Sequence, residues 1–139
     1  MKILSLTVGV LLLGIVGWTN AADCNCPARL SPADELAASS TVMEAYVVAV
    51  GSTTGESTAY SVAVNKVWKG SPMATATIHT LGAGTSCSVT LEIGKNYLIY
   101  AKGENLETGF CSRTFDEATH VGRLDYQEDL SAFKNSTAQ

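Results

Sequence analysis

Cys24 and Cys26, one residue apart near the start of the chain, answer to Cys87 and Cys111 far downstream, and no other cysteine is present. An even count of this kind suits bridges formed in an oxidising compartment. A bond between Cys24 and Cys26 would close a strained small ring, so two long-range pairings remain. Either one staples the N-terminal segment to distant parts of the chain. In the chain-entropy model each loop stabilises by about 4 kcal/mol. A segment held in this way is presented as a stiff wedge instead of fraying. Zinc binding by the four is disfavoured, because no CxxC pair is present and an exported setting favours oxidation. For Cys87 and Cys111 taken alone, a structural role suffices.

The segment ahead of the pair sets the compartment. Met1-Lys2 is a short basic start, residues 3–16 are almost uninterrupted apolar sequence, and residues 17–22 supply a small-residue exit. The apolar run is too short for a membrane span and lacks a basic stop-transfer flank, so residues 1–21 read as a cleaved signal peptide. Thr19 and Ala21 place the cut after Ala21; a cut after Ala22 is the alternative. Asp23 is a poor residue to cut behind and also argues against a lipidated Cys24. Residues 22–139 are expected to form a single secreted, extracellular domain with one or two residues ahead of Cys24. Nine basic against thirteen acidic side chains, net −4, with no basic stripe, exclude a nucleic-acid partner. No membrane partner is expected. No internal repeat or low-complexity tract divides the chain, and residues 39–41 and 52–58 are short polar loops.

Hydrophobic patterning predicts mostly strands. Ser31-Pro32-Ala33-Asp34-Glu35 is a helix start, with a Ser cap, an early Pro and early acids, running to about Ala38. Residues 42–50 are rich in β-branched side chains. Residues 53–56 make a turn, and residues 58–68 place Tyr60, Val62 and Val64 on one face. Further strands are expected at 75–81, 88–93, 96–101 and 106–111, with Gly82-Ala83-Gly84 a loop and Gly94-Lys95 a turn. Residues 117–133 read as a helix, with Tyr126, Leu130 and Phe133 on one side. Short strands with a helix near each end suggest a small closed barrel, an OB-type barrel being a natural candidate; periodicity leaves a sandwich open.

Catalytic chemistry finds little to stand on. There is no HExxH, and His79 and His120 lie far apart, His79 inside a strand. No nucleophile-elbow motif is present. Gly82-Ala83-Gly84 lacks the strand–helix context and third glycine of a phosphate loop. Asp116-Glu117 and Glu128-Asp129 read as solvated helix faces. Neither an enzymatic activity nor a cofactor is expected. Asn135-Ser136-Thr137 is a glycosylation sequon, usable if the source is a eukaryote.

A run of short pieces, in order, resembles a known family. CxC after a signal is followed by Tyr60-Ser61-Val62 leading into Lys66-Val67-Trp68-Lys69-Gly70. Then come residues 85–91, Gly94-Lys95-Asn96-Tyr97-Leu98-Ile99 and Phe110-Cys111. This order is similar to the netrin-like N-terminal domain of tissue inhibitors of metalloproteinases, over nearly the whole mature chain. The resemblance implies a five-stranded OB-type barrel, bridges Cys24–Cys87 and Cys26–Cys111, and an extracellular setting. It also implies a partner, an extracellular zinc metalloproteinase, with extracellular matrix as a second one. In the family the first cysteine sets its free α-amino nitrogen and carbonyl oxygen on the protease zinc, blocking the position kept for water. By this resemblance Cys24 is the chelator, Asn25 enters the specificity pocket, and Cys26 and Pro27 follow the cleft. Thr85, Ser86 and Cys87 line the adjacent part of the wedge. The zinc belongs to the target.

The chain departs from the family in four respects. Asn25 is larger and more polar than the usual Thr or Ser, and Pro27 follows Cys26 directly. The family's third bridge is missing, which should loosen the link between the first helix and the tail. Each residue ahead of Cys24 adds roughly 3.5 Å of chain and turns its amine into an amide that cannot chelate. A non-inhibitory netrin-like binding module is therefore the alternative. Redox activity of the CxC pair ranks last, since long bridges consume both thiols.

Overall fold

A computed structural model describes residues 24–137; the leader at 1–21 lies outside the described residues, as do Ala22 and Asp23. Helix α1, Pro32–Ala38, starts where Ser31 caps it, its Oγ accepting from the Asp34 N–H at 3.2 Å. At the other end Lys69 Nζ donates to the Leu36 and Ala37 carbonyls at 2.7 and 3.0 Å, satisfying acceptors that the helix itself leaves open.

Strands β1, Thr41–Thr54, and β2, Ser57–Lys69, form a long antiparallel hairpin. Its turn is Gly55-Glu56, with Gly55 at φ +60, so the strands reach further into the expected 53–56 turn than the sequence indicates. Strand β3, Thr75–Leu81, lies antiparallel to β2, and β4, Asn96–Ala101, antiparallel to β1. Two short strands follow: β5, Glu107–Thr108, parallel to β3, and β6, Phe115–Asp116, antiparallel to β4. The sheet order is β5-β3-β2-β1-β4-β6. Helix α2, His120–Thr137, closes the described chain.

Repeated register shifts along the β1–β2 pairing let the hairpin bend and coil. The sheet curls until the residue after β4 meets β5. Lys102 and Glu107 exchange both backbone bonds, at 2.8 and 2.9 Å. Inside the curl lie Met43, Val47, Tyr60, Val62, Ile78 and Ile99. Outside it, Val42, Leu98 and Tyr100 pack against Phe133 of α2, with Leu36 of α1 and Trp68 alongside. This double duty explains why β4 is apolar at successive positions: one face fills the interior and the other carries the helix.

Two expected strands are corrected. Residues 88–93 form no strand; Leu91 is buried and Val89 packs on the core, but the backbone crosses without a ladder partner. Residues 106–111 contribute only Glu107–Thr108, because the chain then turns, with the Ser112 N–H donating to the Gly109 carbonyl at 3.0 Å. The second helix starts at His120 instead of 117, since Asp116 is in β6 and its carboxylate accepts from the Ala118 N–H at 2.8 Å. Gly122 belongs to its first turn because a Cβ there would collide with the Asp116 carbonyl.

The reading of the paired acids is also corrected. Asp129 is fully buried, Asp116 is a strand residue, and Glu117 is half-buried.

Candidate functional site: a bridged N-terminal wedge

The four cysteines form two bridges, Cys24–Cys87 and Cys26–Cys111, with Cα separations of 5.3 and 5.4 Å. The first lays the start of the described chain beside the loop that follows β3. Cys24 Sγ sits 3.7 Å from Ser86 Oγ, so Ser86 is packed on the bridge itself. Asn25, Pro27, Thr85 and Ser86 are exposed, while Cys24, Cys26 and Cys87 are half-buried. The structure thus gathers Cys24, Asn25, Cys26, Pro27, Thr85, Ser86 and Cys87 at one place. Asn135 is exposed near the end of α2.

The loop carrying Thr85 and Ser86 is held from within. Thr85 N–H and Oγ1 both donate to the Gly82 carbonyl, at 3.0 and 2.7 Å, and the Cys87 N–H donates to Thr85 Oγ1 at 3.1 Å. Gly82 adopts φ +84, and a Cβ there would lie 2.5 Å from the Cys87 carbonyl oxygen. Only glycine satisfies both conditions. The Ala83 N–H donates to the Glu56 carbonyl at 2.9 Å, tying this loop to the β1–β2 turn.

The segment after Cys26 is fastened on its other side. Arg29 Nη2 bonds Asp125 Oδ2 of α2 at 2.8 Å. Arg113, two residues beyond Cys111, sends Nη1 to the Leu30 carbonyl at 3.4 Å. Its Nε and Nη2 meet Asp129 Oδ1 at 3.1 and 2.6 Å, and Nη2 also reaches Glu128 Oε2 at 3.1 Å. Burial disfavours the charge of Arg113, but the bonds to Asp129 and Glu128 hold it above its usual range. Burial pushes the Asp129 carboxyl up, against the pull of Arg113. An open cleft of about 360 Å³, lined by Pro27, Leu30, Glu35, Leu81, Lys102 and Cys111 among others, runs beside the segment.

Sequence reasoning missed Arg113 and Asp129. A signal for Asp129 was present: it stands three residues after Tyr126 and four before Phe133, on the helical stripe that faces the sheet. Nothing local marks Arg113.

The wedge carries no charge. Residues 24–28 and 81–91 include no ionisable side chain apart from the bridged cysteines, in a chain of net −4. The centres of protein–protein interfaces are depleted of charge in this way. Among the described residues, no three or more His, Cys, Asp or Glu side chains are grouped to hold a metal, and no helix is long and apolar enough to cross a membrane. Two bridges suit an oxidising compartment. No protein-family model matches the chain, and no curated protein matches it significantly.

Proposed function

We propose that this chain is a secreted inhibitor of zinc metalloendopeptidases, of the netrin-like type found at the N-terminus of tissue inhibitors of metalloproteinases. One observation carries the reading. The Cys24–Cys87 bridge joins exposed Asn25 to exposed Thr85 and Ser86 in a single uncharged, pre-ordered projection. Pre-ordering of both segments lowers the entropy lost on docking into a cleft. The ring β1-β2-β3-β5-β4, with β6 as an outlier on β4, supports a partly open five-stranded barrel of OB type.

In this mechanism the Cys24 amine, neutral near its ordinary pKa, and the Cys24 carbonyl take the open position on the protease zinc. Asn25 occupies the neighbouring pocket, Cys26 and Pro27 follow the cleft, and Thr85 and Ser86 contact its other wall. The amine donates only where Cys24 is the first residue. A second reading, a non-inhibitory extracellular module that binds matrix or another secreted protein, is favoured by Ala22-Asp23, which the best signal cut leaves ahead of Cys24.

The test is inhibition of a panel of zinc metalloproteinases by protein of verified N-terminus. Protein starting at Cys24 should inhibit, and protein starting at Ala22 should not. No inhibition by the Cys24-first form sinks the proposal; inhibition by the Ala22-first form replaces chelation with another mechanism.

A further inference from the structure

Arg113 joins three parts of the chain that the barrel alone would leave separate. Cys111 and Arg113 take hold of the same stretch at two points, Cys111 through its bridge to Cys26 and Arg113 through the Leu30 carbonyl. Between those points Arg29 is tied to Asp125 of α2. Arg113 is in turn oriented by Asp129 and Glu128 of the same helix.

As a source of stability this arrangement is poor. The Arg113 side chain is 4% exposed and that of Asp129 0%, and burying such a pair costs about as much as its attraction returns. Apolar side chains of similar volume would join α2 to the sheet at least as well. They would lack directed donors. The stretch from Cys26 to Leu30 has no helix or strand to hold it, so a fixed donor at Leu30 changes how well it is ordered.

We infer that Arg113 is a positioning residue for the wedge: α2 acts through it to hold residues 26–30 in one conformation, so that Cys24 and Asn25 meet a partner already ordered. The inference rests on the inhibitory reading for its consequence, and on the geometry alone for the ordering.

The test uses the chain from Cys24 to Gln139 with both bridges formed. The double variant Arg113→Met, Asp129→Leu removes the ions while keeping the interior filled. Arg113→Lys keeps a charge for Asp129 but loses the fork that also reaches Leu30. Backbone order parameters of residues 28–30, measured by NMR relaxation, should fall from about 0.85 toward 0.6 in both variants, with β1 and β4 unchanged. Inhibition should weaken about tenfold in both, mainly through faster dissociation. Unchanged order parameters overturn the inference. So does a loosened segment with unchanged inhibition. Should the Cys24-first chain with Arg113 and Asp129 intact inhibit no protease, the inhibitory reading fails by itself, and the relaxation measurement still decides whether Arg113 orders the segment.

Discussion

Arg113 Nη2 lies 2.6 Å from Asp129 Oδ1 in the interior between the sheet and α2. Leu36 of α1 packs in the cluster that holds Phe133, and the Arg29–Asp125 and Arg113–Asp129 pairs tie the N-terminal segment and the β5–β6 connection to α2. Removing one partner strands the other in the interior. Arg113→Ala should therefore cost about 3–5 kcal/mol, while the Arg113→Met, Asp129→Leu double variant should be close to neutral or more stable. Urea denaturation of the two variants checks this; equal losses would contradict it.

Gly82→Ala tests the support of the Thr85–Ser86 loop. The substitution places a Cβ against the Cys87 carbonyl at a backbone angle that L side chains rarely adopt. A cost of about 1–3 kcal/mol is expected, together with displacement of residues 83–87. Gly84→Ala is the control: its φ is also positive, +78, but nothing lies within 4 Å of its Cβ, so only the backbone share should be lost. Thermal melts and amide chemical shifts of the loop separate the two.

Glu117 should make stability pH-dependent. Burial first, then the charges of Glu44 and Asp116, push its carboxyl up to about 6 from 4.5. Glu44 is itself held in place, accepting at Oε1 from Trp68 Nε1 at 2.7 Å and from the Tyr126 hydroxyl at 2.9 Å. The folded protein holds the Glu117 proton more tightly than the unfolded chain. Its contribution to stability is therefore complete below pH 4.5 and is lost as pH rises through 6. Glu117→Gln should then raise the melting temperature at pH 7–8 and not at pH 4, with a gain of about 1 kcal/mol or less after solvent screening. A gain of equal size at both pH values would rule this origin out.

The Cys26→Ser, Cys111→Ser pair removes the bridge that closes a separation of 85 residues. A loss of about 2–4 kcal/mol is expected under oxidising conditions. The difference from the native chain should shrink when both proteins are reduced. Guanidinium titrations with and without reductant provide the comparison.

The wedge and the barrel were legible to different degrees. Tyr60, Val62 and Val64 alternate along β2 and point into the interior or against it, and the Ser31 cap marks the start of α1, because each signal is written within a few residues. Residues 88–93 have the composition of a strand and form none. Composition reports what a side chain prefers, whereas a strand also needs a neighbour offering free backbone groups. The 106–111 stretch is cut to two residues for a related reason: pairing with His79 and Thr80 ends where Gly109 turns away.

From the sequence alone came the four cysteines, the two long-range pairings they permit, the main strands and both helices. Those features are local or are matters of count. The tertiary structure decided which cysteine meets which, where α2 begins, and that Asp129 is an interior partner of Arg113 and not a solvated acid. A side chain's neighbours across sixteen residues depend on how the helix is rotated against the sheet. That rotation is set by the packing of Phe133, Tyr100 and Trp68, which no local window contains.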